Sequence, residues 1–170
     1  TGKGMTADGL TIQDAGSNDV TSNYLVTYLT NSEGIISQRA ISVTAQTDTK
    51  VYDGNTASVV LPVVDALQTG DAVADPGIQT FDTKHVATEK VLTPSATVIS
   101  DGNGGANYAI SYITDNTGVI TQKGVTVNAV ADAKIYDGDN SSDGDPVIGP
   151  LAVGESVLNM DARLFYTHRG

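Results

Sequence analysis

The sequence contains no cysteine and no tryptophan, and basic residues are few. Without cysteine, no disulfide framework can hold the fold and no thiolate chemistry is available, so stability must come from core burial and repeat packing. Lys and Arg total 9 against 20 Asp and Glu, which gives a formal net charge of -11, and the basic residues do not cluster. This balance argues against nucleic acid and anionic lipid as partners.

Long apolar runs are missing as well. No run approaches the roughly 18 to 20 residues that a membrane-spanning helix requires, so we expect no direct membrane insertion. The first ten residues lack the apolar core of a signal peptide. Either the sequence is a piece cut from a longer protein or its targeting segments are excluded, and the abrupt ends of the repeat pattern described next favour the first.

One period runs through nearly all of the chain. Residues 23–54 and 107–138 align with an offset of 84, and fourteen of the 32 aligned positions are identical. The register continues downstream, where Leu67 aligns with Leu151. A fixed period of this kind is the signature of a repeat architecture, in which each unit contacts mainly its neighbours. The predicted segments are the C-terminal part of one repeat (1–38), a complete repeat (39–122) and the N-terminal part of a following repeat (123–170).

The composition and local patterns favour strands and tight turns. Thr, Val, Ala, Asp and Gly dominate a chain that is 39% hydrophobic, which is enough for a packed core. An alternation of apolar and polar residues predicts strands with one buried face. It occurs at Ile41, Val43 and Ala45 and again at Val125, Val127 and Ala129. β-branched and aromatic runs predict further strands at residues 24–29, 108–113 and 91–100, with Pro94 at a bulge or an edge.

These patterns predict an all-β fold class. Each repeat of about 84 residues is expected to form a small β-sandwich-like module, and the modules are expected to follow one another in tandem. The alternative is an α+β, β-grasp-like arrangement. Its helix candidate is residues 63–69, a weak one because it begins with two β-branched residues.

The most repeated word in the chain is a short basic and aromatic motif. It reads Lys-Val-Tyr-Asp-Gly at Lys50–Gly54 and Lys-Ile-Tyr-Asp-Gly at Lys134–Gly138, and each copy is followed by Leu, Gly and an acidic residue at fixed spacing. The order of these motifs resembles the YDG-type repeat domain of filamentous-haemagglutinin-like bacterial surface adhesins, which are two-partner-secreted or autotransporter proteins. The resemblance implies a β-rich, non-catalytic stalk or display module at the bacterial cell surface that supports attachment or biofilm formation.

An acidic loop is the candidate metal site. Asp137, Asp139, Asp143 and Asp145 fall within nine residues, and carboxylate oxygens at alternate positions of a turn can surround calcium. The spacing departs from an EF-hand loop, and the equivalent residues 53–61 keep only the first carboxylate. A solvated acidic loop is the alternative. No other cofactor is expected.

No catalytic residues are predicted. The two histidines, His85 and His168, do not repeat in register, and no compact Ser, His and Asp grouping stands out. The expected partners are neighbouring repeats of the same chain. Two alternatives remain open: a repeat that binds a host or matrix glycan or protein, and a subunit that self-assembles into filaments by pairing strands between chains.

Overall fold

The computed structural model describes residues 2–160 of the chain. The backbone divides into two units, Thr1–Arg39 and Ala40–Gly170. His168 lies outside the described residues. No helix among residues 2–160 is long and apolar enough to cross a membrane.

The first unit is a two-stranded antiparallel sheet with a long connection. β1 (Lys3–Thr6) pairs with β2 (Thr30–Gly34), and a single 3-10 turn, Thr21–Asn23, lies between them. The strand predicted at residues 24–29 is not formed, and the sheet begins only at Thr30. The equivalent residues of the second unit, Tyr108–Ile113, form a strand because they pair with the strand Arg39–Thr44. No described strand pairs with residues 24–29.

The second unit carries the remaining strands. They are β3 (Arg39–Thr44), β4 (Thr49–Val51), β5 (Val63–Val64), β6 (Ala72–Asp75), β7 (Ile78–Phe81), β8 (Ala87–Ser95), β9 (Val98–Ser100), β10 (Tyr108–Ile113), β11 (Asp115–Thr121), β12 (Val127–Asn128) and β13 (Val147–Ile148). They form a three-stranded sheet in the order β10-β3-β5, a four-stranded sheet in the order β4-β11-β8-β7, and the two-stranded pairs β6-β9 and β12-β13. In the four-stranded sheet, β11 runs parallel to β4 and antiparallel to β8.

The all-β prediction is confirmed, since the described residues contain strands and one 3-10 turn but no α-helix. The helix candidate at residues 63–69 is therefore wrong. Val63 and Val64 pair with Thr44 and Val43 instead, which suits β-branched side chains.

Two clusters of buried side chains form the core. Ala45, Phe81, Leu92 and Ile120 make one, and Ile41, Ile99 and Tyr108 make the other. The predicted alternation along β3 is thus confirmed, because Ile41, Val43 and Ala45 are all buried. The equivalent alternation at Val125, Val127 and Ala129 is present in the sequence, but all three side chains are exposed.

Residues 91–100 differ from one regular strand at two places. The pairing of β8 with β11 ends at Leu92, so Pro94 lies where β8 pairs only with β7 and no second ladder needs its missing N–H group. Ala96 then adopts a positive φ of 62°, which separates β8 from β9. The single predicted strand is therefore two strands that pair with different partners.

Every buried polar side-chain atom of residues 2–160 has a hydrogen-bond partner. The side chain of Gln79 accepts from the backbone N–H of Gln46 at 2.8 Å and donates to its carbonyl at 2.7 Å, in the manner of a strand partner. The buried ammonium of Lys90 lies 2.7 Å from Asp82 Oδ1 and donates to Thr83 Oγ1. Such pairing removes most of the desolvation cost that an isolated buried charge would carry.

Gly118 is the position where β11 fits most closely against β8. A Cβ atom at Gly118 would lie 3.0 Å from the Lys90 carbonyl oxygen and 3.0 Å from the Phe81 ring. We expect Gly118→Ala to lower the free energy of unfolding by about 1 to 3 kcal/mol, as overpacking in a core does. Chemical denaturation followed by circular dichroism would measure this. Gly124→Ala, where a Cβ meets no atom within 4 Å, is the matched control, and an equal loss in both variants would contradict the packing argument.

Candidate functional site

The turn of the Lys50–Gly54 motif begins where the parallel strands β4 and β11 end. The backbone N–H of Tyr52 donates to the Thr121 carbonyl at 2.8 Å, which continues the pairing of β4 with β11. Gly54 follows with a φ of 88°, a conformation that favours glycine. Asp53 and Asn55 then close two side-chain turns, since each accepts a hydrogen bond from the backbone N–H two residues ahead.

The ammonium of Lys50 organises this turn. It lies 2.8 Å from Asp53 Oδ1 and donates to the carbonyl oxygens of Asn55 and Ala57 at 3.0 and 2.9 Å. It also lies 5.5 Å from the centre of the Phe81 ring, within range of a cation–π contact. The side chain is only 14% exposed, so a single lysine links the turn to the core.

The charge on Asp53 is stabilised by this arrangement. The hydrogen bond from Lys50 holds the pKa of the Asp53 carboxyl below its usual value, although partial desolvation opposes the effect. The N–H of Asn55 contributes in the same direction. The pair is therefore fully formed at neutral pH.

The lysine–carboxylate contact and the glycine turn recur 84 residues later. The Lys134 ammonium lies 2.9 Å from both carboxylate oxygens of Asp137 and 2.5 Å from Asp139 Oδ1, and Gly138 has a φ of 94°. Asp139 takes the place of Asn55 and likewise accepts from a backbone N–H two residues ahead, that of Ser141. The hydrogen bonds to Asp139 and Asp137 raise the pKa of Lys134, and Lys134 in turn lowers the pKa of both carboxyls.

The four aspartates of the predicted calcium loop are placed differently from one another. Asp137 and Asp139 share Lys134, while Asp143 and Asp145 are exposed. Among residues 2–160, no group of three or more His, Cys, Asp or Glu side chains is arranged to hold a metal ion. Calcium binding stays a prediction, and the cation found between the first two carboxylates is an ammonium.

A second recurring contact lies beside each turn. The carboxylate of Asp48, which is buried, accepts from Ser58 Oγ at 2.7 Å, and Asp132 accepts from Ser142 Oγ at the same distance. The hydrogen bonds from Ser142 and from the Asp143 N–H lower the pKa of Asp132. Sequence reasoning missed this pair, although both members keep the 84-residue register.

The tyrosine of the first motif contacts the segment that follows the complete repeat. The Tyr52 hydroxyl donates to Glu155 Oε1, and this bond raises the pKa of Tyr52. Nearby, a Cβ atom at Gly54 would lie 3.3 Å from the Ala152 side chain. Tyr52 and Glu155 line an open groove of about 500 Å³ together with Gln122, Val125 and Leu151. The equivalent tyrosine, Tyr136, is 91% exposed.

The first of these turns lies in a region of the chain that matches a known family. Residues 37–117 match the family model of the YDG domain. The chain contains a YDG domain. Lys50, Asp53 and Gly54 lie inside the matched region, and Lys134–Gly138 lies beyond it. No curated protein and no solved structure matched the chain.

The ion pair in the YDG domain predicts a pH-dependent stability difference. Asp53→Asn keeps the oxygen that accepts from Asn55 but removes the charge that Lys50 binds. Because the folded pKa of Asp53 is depressed, the pair stabilises the fold above the unfolded pKa of about 4 and is lost as the pH falls through the folded value. We expect wild type to exceed Asp53→Asn in unfolding free energy at pH 6, and the difference to vanish towards pH 2.

The double-mutant cycle with Lys50→Met isolates the pair. In the Lys50→Met background, the pH dependence of the Asp53→Asn difference should shrink to the part that the Asn55 N–H contributes, since no ammonium remains to bind the carboxylate. Urea unfolding of the four proteins between pH 6 and pH 2 provides the measurement. A pH-dependent difference that is undiminished in the Lys50→Met background would mean that Lys50 is not the group that stabilises the Asp53 charge.

Proposed function

We propose that this chain is a non-catalytic stalk or display segment of a large secreted bacterial surface protein, in which YDG-type repeats project a distal binding region for attachment or biofilm formation. The observation that carries the proposal is the contact between the YDG tyrosine and the following segment. Tyr52 bonds to Glu155, and Gly54 lies against Ala152, so the motif of one repeat forms part of its joint to the next. A motif with that role needs no ligand of its own.

The recurrence of contacts also supports a tandem array. β12 pairs with β13 in the register of β3 with β5, because Val127 pairs with Ile148 as Val43 pairs with Val64. The lysine-centred turn and the Asp–Ser bond recur at the same offset. Repeats that each contact their neighbours can be added or removed without altering the rest of an array.

The composition fits a surface location. A chain without cysteine does not depend on an oxidising or a reducing compartment. The net charge of -11 keeps an extended array soluble and limits self-association through charge repulsion.

The joint is tested by removing one hydroxyl. In Tyr52→Phe the bond to Glu155 is lost, and we expect hydrogen exchange to rise at the backbone amide of Glu155, because the contact that restrains this segment is gone. Tyr136→Phe is the matched control because its hydroxyl is exposed. Equal exchange in wild type and Tyr52→Phe would mean that the tyrosine does not hold the joint.

The stalk function is tested by varying copy number. One, two and four copies of this chain, fused below an epitope tag, are displayed on a bacterial surface, and the height of the tag is measured by atomic force microscopy. We expect the height to increase in proportion to copy number while adhesion to host cells and matrix stays at the level of undisplayed controls. Adhesion that rises with copy number in the absence of a distal domain would support a binding repeat instead.

A further inference from the structure

We propose that Asn103 is a site of spontaneous covalent modification, at which the side-chain amide is lost as ammonia and an aspartyl or isoaspartyl residue takes its place. The site lies in the loop between β9 and β10, inside the YDG domain, and does not depend on the stalk function. Asn103 is the only asparagine in the sequence that precedes a glycine. A glycine at the next position leaves its backbone nitrogen unhindered and lets the chain bend into a ring.

The reaction is an acyl transfer within the chain. The backbone nitrogen of Gly104 loses its proton to hydroxide and attacks Asn103 Cγ, so that a new N–C bond closes a succinimide ring. The bond between Cγ and Nδ2 then breaks, and the amide nitrogen takes a proton from water and leaves as ammonia. Water opens the ring at one of its two carbonyl carbons, which yields aspartate or isoaspartate. Water is therefore the only co-reactant that the conversion consumes.

The structure leaves the attacking nitrogen accessible. Asn103 and Gly104 are both exposed, and a Cβ atom at Gly104 would meet nothing within 4 Å. The neighbouring N–H groups of Asn103 and Gly105 donate to Asp101 Oδ1 at 2.8 and 2.7 Å. Within residues 2–160, no acceptor receives a hydrogen bond from the Gly104 N–H. Attack by this nitrogen therefore breaks no hydrogen bond of the loop backbone.

The side-chain amide of Asn103 is held only at the surface. Its Nδ2 atom donates to Asn107 Oδ1 at 3.1 Å, and both side chains are exposed. Water competes with an exposed hydrogen bond of this kind, so the bond contributes little to keeping the amide away from the Gly104 nitrogen. The electrophile is thus as accessible as the nucleophile.

Aspartates that precede glycine can form the same ring, but the structure favours Asn103 over them. A carboxylate is a poorer electrophile than an amide, so ring closure at aspartate is slower. The carboxylates of Asp53 and Asp137 are in addition bound by lysine ammonium groups at 2.8 and 2.9 Å, and that of Asp101 accepts from backbone N–H groups. Isomerisation of aspartate also leaves the mass unchanged, so a gain in mass reports on asparagine alone.

A loop of the same form in the first unit lacks the reactive pair. Asp14 accepts from the N–H groups two and four residues ahead, as Asp101 does in the YDG domain. Ser17, with a φ of 66°, occupies the place that Gly104 takes with a φ of 64°. The geometry of this loop therefore accepts a side chain at the position of the attacking nitrogen, which provides a matched control variant.

The modification changes how the loop is held. Isoaspartate adds a methylene group to the backbone between residues 103 and 104, which shifts the N–H of Gly105 away from Asp101. Either product also places a second carboxylate two residues from Asp101, where like charges repel. We therefore expect hydrogen exchange at the Gly105 amide to rise with the extent of modification.

The test is incubation of the whole folded chain at neutral and at mildly alkaline pH, followed by peptide mapping with mass spectrometry. We expect the peptide that contains Asn103 to gain about 1 Da before any other peptide does, because an amide NH₂ is exchanged for OH. It should separate into two species of equal mass, since the ring opens in two ways, and it should react faster at the higher pH. An intact Asn103 in a chain whose other asparagines have reacted would overturn the proposal.

Gly104→Ser is the matched control, because Ser17 shows that this loop holds serine at the same φ. The variant should keep the melting temperature of wild type and lose its Asn103 amide several-fold more slowly, since the side chain hinders the attacking nitrogen. Equal rates in the two proteins would contradict the mechanism. A synthetic peptide of residues 100–107 gives the unfolded rate, which the folded chain should approach. If the folded chain reacts far more slowly than the peptide, the loop protects Asn103 and the proposal is wrong.

Discussion

The parallel pairing of β4 with β11 is the constraint on which the other features depend. It joins residues 49–51 to residues 119–121, so it closes the module between its early and its late strands. Because the two strands run in the same direction, they also end at the same edge of the sheet. One continues into the Tyr-Asp-Gly turn and the other continues into the next segment. The YDG motif and the segment that follows β11 are therefore neighbours for a topological reason.

The Lys50 side chain links separate parts of the turn, as disulfides and bound metals do in other small modules. The Lys50 ammonium binds one carboxylate and three oxygens of the turn while its side chain lies largely covered, so its charge is compensated where it is held. The following copy keeps the lysine but exchanges Asn55 for Asp139, which converts an amide ligand into a second carboxylate. The geometry of the turn thus tolerates a change in its net charge, provided that the central cation stays.

Local patterns in the sequence predicted local structure well. The alternation at Ile41, Val43 and Ala45 predicted a strand with one buried face, and all three side chains are buried. The same reasoning failed at residues 24–29, whose composition matches that of β10, because a strand also needs a partner and composition does not provide one. The acidic loop shows a related limit. Sequence spacing brought four aspartates together, but a lysine three residues before the first of them is the group that binds Asp137 and Asp139.

The contact between Tyr52 and Glu155 spans 103 residues, so no local pattern predicts it. The sequence nevertheless contains a sign that this position matters. An acidic residue follows Gly70 and also follows Gly154, at the same place in each repeat. In the complete repeat that acid, Asp71, accepts from the Tyr108 hydroxyl at 2.6 Å, whereas Glu155 accepts from the preceding YDG tyrosine. The same position of the 84-residue period therefore accepts from Tyr108 in the first copy and from Tyr52 in the second.

The direction of β4 and β11 has a mechanical consequence. A force that pulls a module apart along these two strands slides one past the other, because they lie side by side and point the same way. The hydrogen bonds between Asp48 and Val119 and between Tyr52 and Thr121 then carry the load together instead of opening one after another. Shear of this kind resists rupture better than unzipping does.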